Sequence, residues 1–123
     1  MTDYVVLLPG NEDAWAATAT EERQRVYAKH EEFARALAER GHKVSGGAEL
    51  THSRDARVVR RTDSGFDVTE GPYAESVEQL TGFYLVESDD LDDLLAVCGI
   101  LADGDGPVEV RACVGGSAGP VDA

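Results

Sequence analysis

The segment from Glu21 to Arg40 restricts the fold more than any other part of this chain. Its apolar positions recur every three or four residues, the spacing that places them on one face of an α-helix. The residues of this face are Val26, His30, Phe33 and Leu37. Gly41 follows, where a glycine commonly ends a helix. A helix with one apolar face needs another element to cover it, so the pattern predicts a layered fold and points His30 inward.

Strand-like and helical segments alternate along the rest of the chain. The run over 3–9 is apolar on both faces, as is the run over 80–87, whereas residues 108–114 alternate. The chain is predicted to form strands over 3–9, 42–50, 56–62, 66–69, 80–87 and 108–114, and helices over 13–19, 21–40 and 90–102. Asp63-Ser64-Gly65 is the predicted hairpin turn. Thr18 with Glu21, or Thr20 alone, is the predicted cap of the long helix.

This order predicts an α+β domain of the ferredoxin-like, split βαβ type with a hairpin insertion. Two helices would cover one face of a mainly antiparallel sheet. Residues 1–114 are predicted to form this single domain, and 115–123, rich in Gly, Ala and Pro, a flexible tail. The two central strands carry apolar residues on both faces, so a monomer would expose an apolar sheet face. We therefore expect a homodimer.

Charge limits the classes of partner. The net charge is −13, and residues 63–123 hold fourteen acids against one base, whereas residues 1–62 balance ten acids with ten bases. Such a surface disfavours nucleic-acid phosphates. The first residues lack the basic and apolar regions of a signal peptide, and no apolar run is long enough for a membrane span. A cytoplasmic protein is expected, with neither nucleic acid nor membrane as partner.

His30 is the best candidate for chemistry. A histidine on an apolar helix face must satisfy two ring nitrogens away from water, and a carboxylate neighbour would make it a general base. Glu70 and Glu49 are the candidate catalytic partners. The alternative is a core histidine bonded only to backbone. The predicted substrate-binding residues are Tyr73, Tyr84 and Phe33.

The other polar candidates favour structural roles. His42 and His52 lie near predicted strand ends, where we expect them to be exposed. Neither has metal-ligand spacing, so no metal site is predicted, and no sequence motif indicates a cofactor. Four arginines form the one basic cluster, which suits an anionic ligand or, as we expect, the surplus carboxylates. They are Arg54, Arg57, Arg60 and Arg61.

Five stretches together resemble the YCII-related family, and its DGPF subgroup in particular. They are DYVVLL at 3–8, EER with His30 and Phe33 before Gly41, GGAEL at 46–50, VTEGPYAE at 68–75 and GFYLV at 82–86. The resemblance implies a ferredoxin-like fold and a dimeric α/β-barrel assembly. It also implies a His–Asp pair in a pocket, as in some relatives, one kind of which is a dehydrochlorinase. Here the loop departs from the subgroup signature, because Glu70 replaces its Asp and Tyr73 its Phe.

Two functions follow as expectations. The first is a small cofactorless enzyme in which His30 acts as acid or base on a small polar or aromatic substrate, by lyase-like or isomerase-like proton transfer. The second is a non-catalytic small-molecule-binding or regulatory module. The resemblance associates this alternative with an extracytoplasmic-function sigma factor, since many subgroup members are neighbours of one.

Overall fold

The computed structural model of the chain describes residues 1–102 and 106–115. Their helices are α1 (Glu12–Ala16), α2 (Thr20–Glu39) and α3 (Leu91–Cys98). Their strands are β1 (Thr2–Asn11), β2 (Lys43–Glu49), β3 (Arg57–Thr62), β4 (Gly65–Glu70), β5 (Glu78–Ser88) and β6 (Glu109–Ala112). A 3-10 turn at Ser53–Asp55 links β2 to the β3–β4 hairpin.

Four of the strands form one antiparallel sheet in the order β2-β5-β1-β6. β1 and β2, which flank α2 in sequence, are thus separated by β5, as a split βαβ order requires. The β1–β5 register pairs Val6 with Tyr84 and Tyr4 with Val86. Because side chains alternate along a strand, these residues share one face of the sheet. The register therefore places Tyr84 beside the core.

The core lies between that face of the sheet and the helices α2 and α3. Val6 and Val86 from the sheet are fully buried, and so are Phe33 and Leu37 from α2 and Leu94 from α3. Burying a side chain of this size stabilises the fold by about 1.5–3 kcal/mol. Phe33 and Leu37 belong to the apolar face found in the sequence, which confirms the inward orientation of this part of α2.

The remaining strands, β3 and β4, form a separate two-stranded hairpin. Their residues are mostly exposed, and Val59 and Phe66 leave 63% and 68% of their surface uncovered. The backbone N–H of Gly71 donates to the carbonyl of Ala56 at 2.9 Å, so the two ends of the hairpin lie side by side. The predicted hairpin insertion is confirmed, and it stands apart from the four-stranded sheet.

The predicted α+β class, the mainly antiparallel sheet and its two main helices are confirmed, but some boundaries and the cap were wrong. The N-cap of α2 is Ala19, which makes no side-chain cap bond. Thr18 instead donates its hydroxyl to the carbonyl of Ala14, where it closes the end of α1. Helix α3 ends at Cys98, before the predicted 102. The predicted tail at 115–123 lies outside the described residues, except for residue 115.

No helix in the described ranges has the length and apolar character needed to cross a membrane.

Candidate functional site

A broad cleft of about 1300 Å³ opens beside the N-terminal half of α2. Its opposite wall is formed by the end of β1, the end of β2 and the first half of β5, and α1 closes one side. The residues that line it include Tyr27, His30, Glu49 and Tyr84. The cleft thus lies at the point where the apolar face of α2 leaves the core and reaches solvent.

His30 is held in this cleft by Tyr84. Its Nδ1 lies 2.6 Å from the Tyr84 hydroxyl, and the two rings stack with centroids 5.8 Å apart. Tyr84 is fixed in turn by Phe33, whose ring centroid is 5.1 Å away. Since Phe33 is fully buried, the core itself sets the position of the Tyr84 ring. His30 is therefore neither sealed in the core nor bonded to backbone at Nδ1.

The cleft keeps the His30 ring neutral at neutral pH. Burial lowers the pKa of His30, since desolvation disfavours the charged form, while the Glu49 carboxylate acts against this by Coulomb attraction. Burial also raises the pKa of Tyr84, so its hydroxyl keeps its proton. A neutral imidazole beside a neutral phenol can accept or donate a proton at Nε2, depending on which partner donates in the Nδ1 hydrogen bond.

A second polar pair lies one helical turn from His30. The Tyr27 hydroxyl donates to the Glu49 carboxylate, at 3.0 Å from Oε1 and 3.2 Å from Oε2. This bond raises the pKa of Tyr27 and keeps its hydroxyl protonated. Trp15 meets the Tyr27 ring edge-on, with centroids 5.7 Å apart and the planes at 90°. Near His30, the cleft therefore brings the Glu49 carboxylate together with the rings of Trp15, Tyr27 and Tyr84.

Gly47 explains how Glu49 reaches this position. Its φ is +150°, and a Cβ there would lie 2.6 Å from the carbonyl oxygen of Phe83. Only glycine allows so close an approach of β2 to β5. Together with the register shift between Val44 and Gly46, it bends the strand just before Glu49. The glycine pair thus helps to position the Glu49 carboxylate.

The structure brings some of the predicted site residues together and leaves others apart. His30, Glu49 and Tyr84 all line the cleft. Phe33 does not, because it is buried beneath Tyr84. Glu70 and Tyr73 lie on and after the exposed hairpin. The Glu70 carboxylate is 3.8 Å from the Arg57 guanidinium, and Tyr73 is 85% exposed. Neither of them lines the cleft.

His52 belongs to a polar cluster that was not predicted from the sequence. We expected an exposed side chain, yet only 18% of it is accessible. Its Nδ1 accepts the backbone N–H of Arg54 at 3.1 Å, so the proton sits on Nε2, which donates to Asp13 at 2.7 Å. Glu12 accepts from the backbone N–H and the hydroxyl of Ser53. These bonds join α1 to the 3-10 turn, and the partners are distant in sequence, so no local pattern could reveal them.

His42 was also expected to be exposed, but it is buried at 6% exposure. Its Nδ1 lies 2.7 Å from the Ser88 hydroxyl and its Nε2 lies 2.7 Å from the Asp93 carboxylate. Asp93 is also bound by the Arg40 guanidinium. The order resembles a catalytic triad, but Ser88 is 1% exposed. We assign these residues to a structural clamp, since they link α3 to both ends of the turn after α2.

Nucleophilic and metal chemistry find little support elsewhere in the described residues. Burial raises the pKa of the Cys98 thiol to about 11, which keeps it protonated and unreactive. In residues 1–102 and 106–115, no group of three or more His, Cys, Asp or Glu has an arrangement that could hold a metal ion. Proton transfer at His30 is thus the chemistry that the described side chains support best.

Comparison with known proteins gives the family. The model of the YCII-related domain matches residues 2–98, which include the whole cleft wall from β1 to β5 and all of α3. The chain is also 35% identical over 92 residues to an uncharacterised protein of Rhizobium meliloti (strain 1021), covering 75% of this chain and 73% of that protein. That relative has no stated activity. By the extent of the domain match, the chain belongs to the YCII-related family.

Proposed function

We propose that this protein binds a small polar or aromatic molecule in the cleft and that His30 transfers a proton to or from it without a cofactor. The observation that carries the proposal is the hydrogen bond of 2.6 Å between His30 Nδ1 and Tyr84, inside an open cleft. A ring held at one nitrogen presents the other in a fixed direction, which is what general acid–base catalysis requires.

The proton-transfer step assigns a role to each neighbour. In the tautomer that suits a base, Nδ1–H donates to the Tyr84 oxygen, and the unprotonated Nε2 accepts a proton from the substrate. The ring then becomes cationic. The Glu49 carboxylate stabilises that cation, because it is the group that raises the pKa of His30. Tyr84 is therefore a positioning residue and Glu49 an electrostatic one.

A deuterium-exchange experiment tests this proposal without knowledge of the product. Small carbon acids and phenols of each charge type are incubated with the protein in D₂O, and ¹H NMR follows the loss of exchangeable C–H signals. We expect wild type to accelerate exchange in at least one compound by on the order of 100-fold, the usual contribution of a general base. The matched variants are His30→Gln, which abolishes the acceleration, and His42→Gln, which retains it.

A non-catalytic binding module is the second candidate. It is favoured by one observation: among the described residues, no carboxylate is hydrogen-bonded to His30, which departs from a His–Asp pair. In that case ligands would shift the NMR signals of Tyr84 and Glu49 and raise the melting temperature by linkage. No compound would exchange faster than in buffer, and this result would overturn the enzymatic proposal.

We further propose that the protein forms a homodimer through the face of the sheet opposite the helices. That face carries two cross-strand pairs of apolar residues, Val5 with Leu85 and Leu7 with Phe83. All four are partly exposed in the single chain. A second copy would cover them.

A further inference from the structure

The part of α2 nearest to His30, which we call its inner face, carries few charged side chains. At about 100° per residue, Arg23 and Tyr27 lie within about 60° of His30 around the helix axis. Glu22, Arg25 and Lys29 also line the cleft, but they lie about 80° to 140° away, toward its rim. Glu22 and Arg25 also pair with each other at 3.1 Å. On the part of α2 next to His30, the charge is therefore that of Arg23.

Arg23, the one cation on the inner face of α2, is held by α1. Its Nη2 donates to the carbonyls of Trp15 at 2.9 Å and Ala16 at 3.2 Å. Its guanidinium carbon lies 5.1 Å from the centre of the Trp15 ring. Arg23 thus offsets the negative end of α1 and stacks on an indole. It also shows that this aromatic wall accommodates an organic cation.

Glu49 dominates the electrostatics at the next turn of α2. The Tyr27 hydroxyl lies near both Glu49 and Arg23, and the carboxylate has the larger effect on its pKa, which rises. The Glu49 side chain is exposed, and among the described residues it accepts a hydrogen bond from the Tyr27 hydroxyl. A carboxylate can accept more than one hydrogen bond. It therefore retains acceptor capacity toward a ligand, beside a neutral imidazole and electron-rich rings.

We propose that the ligand of this cleft is a small organic cation, in which a protonated amine pairs with Glu49 and an apolar or aromatic body lies against Tyr27 and Tyr84. The carboxylate attracts the ammonium group, and aromatic faces add cation–π attraction. A carboxylate-bearing ligand of the same shape would be repelled. This inference rests on the proposed function and names the substrate class of the same site.

Isothermal titration calorimetry with three probes of one shape tests the charge preference. The probes are 2-phenylethylamine, 2-phenylethanol and 3-phenylpropionate at pH 7. For wild type we expect the amine to bind roughly tenfold more tightly than the alcohol, and the carboxylate to bind more weakly than either.

Two isosteric variants test whether Glu49 causes the preference for the amine over the alcohol. Glu49→Gln still accepts the Tyr27 hydrogen bond, so it should fold, but it should bind amine and alcohol equally. Glu39→Gln makes the same change in net charge at an exposed position of α2 that does not line the cleft, and it should retain the tenfold preference. Far-UV circular dichroism and thermal melts check that both variants are folded.

Several results would overturn the inference. They are failure of the amine to bind at millimolar concentration, equal binding of amine and alcohol by wild type, and an amine preference that survives in Glu49→Gln. None of these results would contradict the proposal that His30 acts as an acid or base. If the alcohol shifts the His30 ring signals without any preference for the amine, the cation is excluded, and the deuterium-exchange result still decides the function of His30.

Discussion

The balance of burial and charge at His30 gives a prediction at the scale of single residues. Desolvation lowers the pKa of His30 and Glu49 raises it, so Glu49→Gln should lower the pKa of His30 further. The Glu39→Gln variant, with the same change in net charge outside the cleft, should leave the pKa of His30 nearly unchanged. Titration of the ring C–H signals by NMR measures both. An unchanged or raised His30 pKa in Glu49→Gln would show that the carboxylate does not act on the ring.

Tyr84 supplies a second prediction at this scale. Tyr84→Phe keeps the ring that packs on Phe33 but removes the partner of His30 Nδ1. We expect a loss of about 1 kcal/mol in the free energy of unfolding, the usual net value of such a hydrogen bond. We also expect a broadened ring orientation of His30 and a loss of proton-exchange activity greater than the loss of ligand affinity. If activity and affinity fall together, the Tyr84 hydroxyl binds the ligand instead of positioning His30.

Individual residues were predictable from sequence only where a local period marked them. The spacing of α2 was enough to turn Phe33 and Leu37 inward and His30 toward the sheet. The distant partners of His30, His42 and His52 lie 54, 46 to 51 and 39 to 40 positions away. Contacts of that kind depend on the tertiary register, which a single sequence does not display. The burial of His42 was missed for this reason.

At the scale of the elements, the clamp at Asp93 joins α3 to the turn after α2. This makes the attachment of α3 pH-dependent. Bonds from Arg40 and then His42 hold the pKa of Asp93 far below its ordinary value. The unfolded chain therefore binds a proton at Asp93 more readily than the folded one does. Its stabilisation is present above the ordinary carboxyl pKa of about 3.9 and is lost as the pH falls below it.

Urea unfolding of wild type and Asp93→Asn between pH 7 and pH 2.5 tests this clamp. The variant should be less stable at pH 7, and the gap should narrow as the pH falls below about 4. Asp92→Asn, on the exposed side of α3, is the matched control and should follow wild type throughout. A gap that does not change with pH would mean that Asp93 stabilises α3 by shape and not by its charge.

The β3–β4 hairpin is predicted to be separable from the rest of the fold. Gly71 and Ala56 are already hydrogen-bonded at 2.9 Å, so residues 57–70 can be replaced by a two-residue Asn-Gly turn. Because the hairpin pairs with no strand of the main sheet, the free energy of unfolding should change by no more than about 1 kcal/mol. The ring signals of His30 should also keep their chemical shifts. Unfolding of the shortened chain would show that the hairpin completes the core.

Element order was predictable, whereas the ends of the elements were less so. Alternation and helical spacing located the six strands and the two main helices within a few residues. The predicted cap of α2 was wrong because Thr18 bonds back into α1, which ends at Ala16 and not at the predicted residue 19. The outline of the cleft was not predictable, because its walls come from three strands and two helices, although three of its residues, His30, Glu49 and Tyr84, were predicted site residues.

At the scale of the whole molecule, the apolar face of the sheet opposite the helices, here called the outer face, is the surface that bears on assembly. Val5, Leu7, Phe83 and Leu85 are partly exposed on it, and a second copy would remove them from water. Light scattering after gel filtration should then give twice the chain mass of 13.1 kDa. Leu7→Glu would bury an unpaired charge in the interface and should weaken the dimer by about 3 kcal/mol, or roughly 100-fold.

Leu91→Glu is the control for this substitution, because Leu91 is 40% exposed on α3, away from the outer sheet face. It should remain a dimer. Leu7→Glu should become a monomer that keeps its circular dichroism spectrum, since the core on the other face is untouched. A monomeric wild type at tens of micromolar, or a dimeric Leu7→Glu, would assign the apolar face to some other contact. Ligand binding by the monomer would then show that the cleft is complete within one chain, as the positions of His30, Glu49 and Tyr84 lead us to expect.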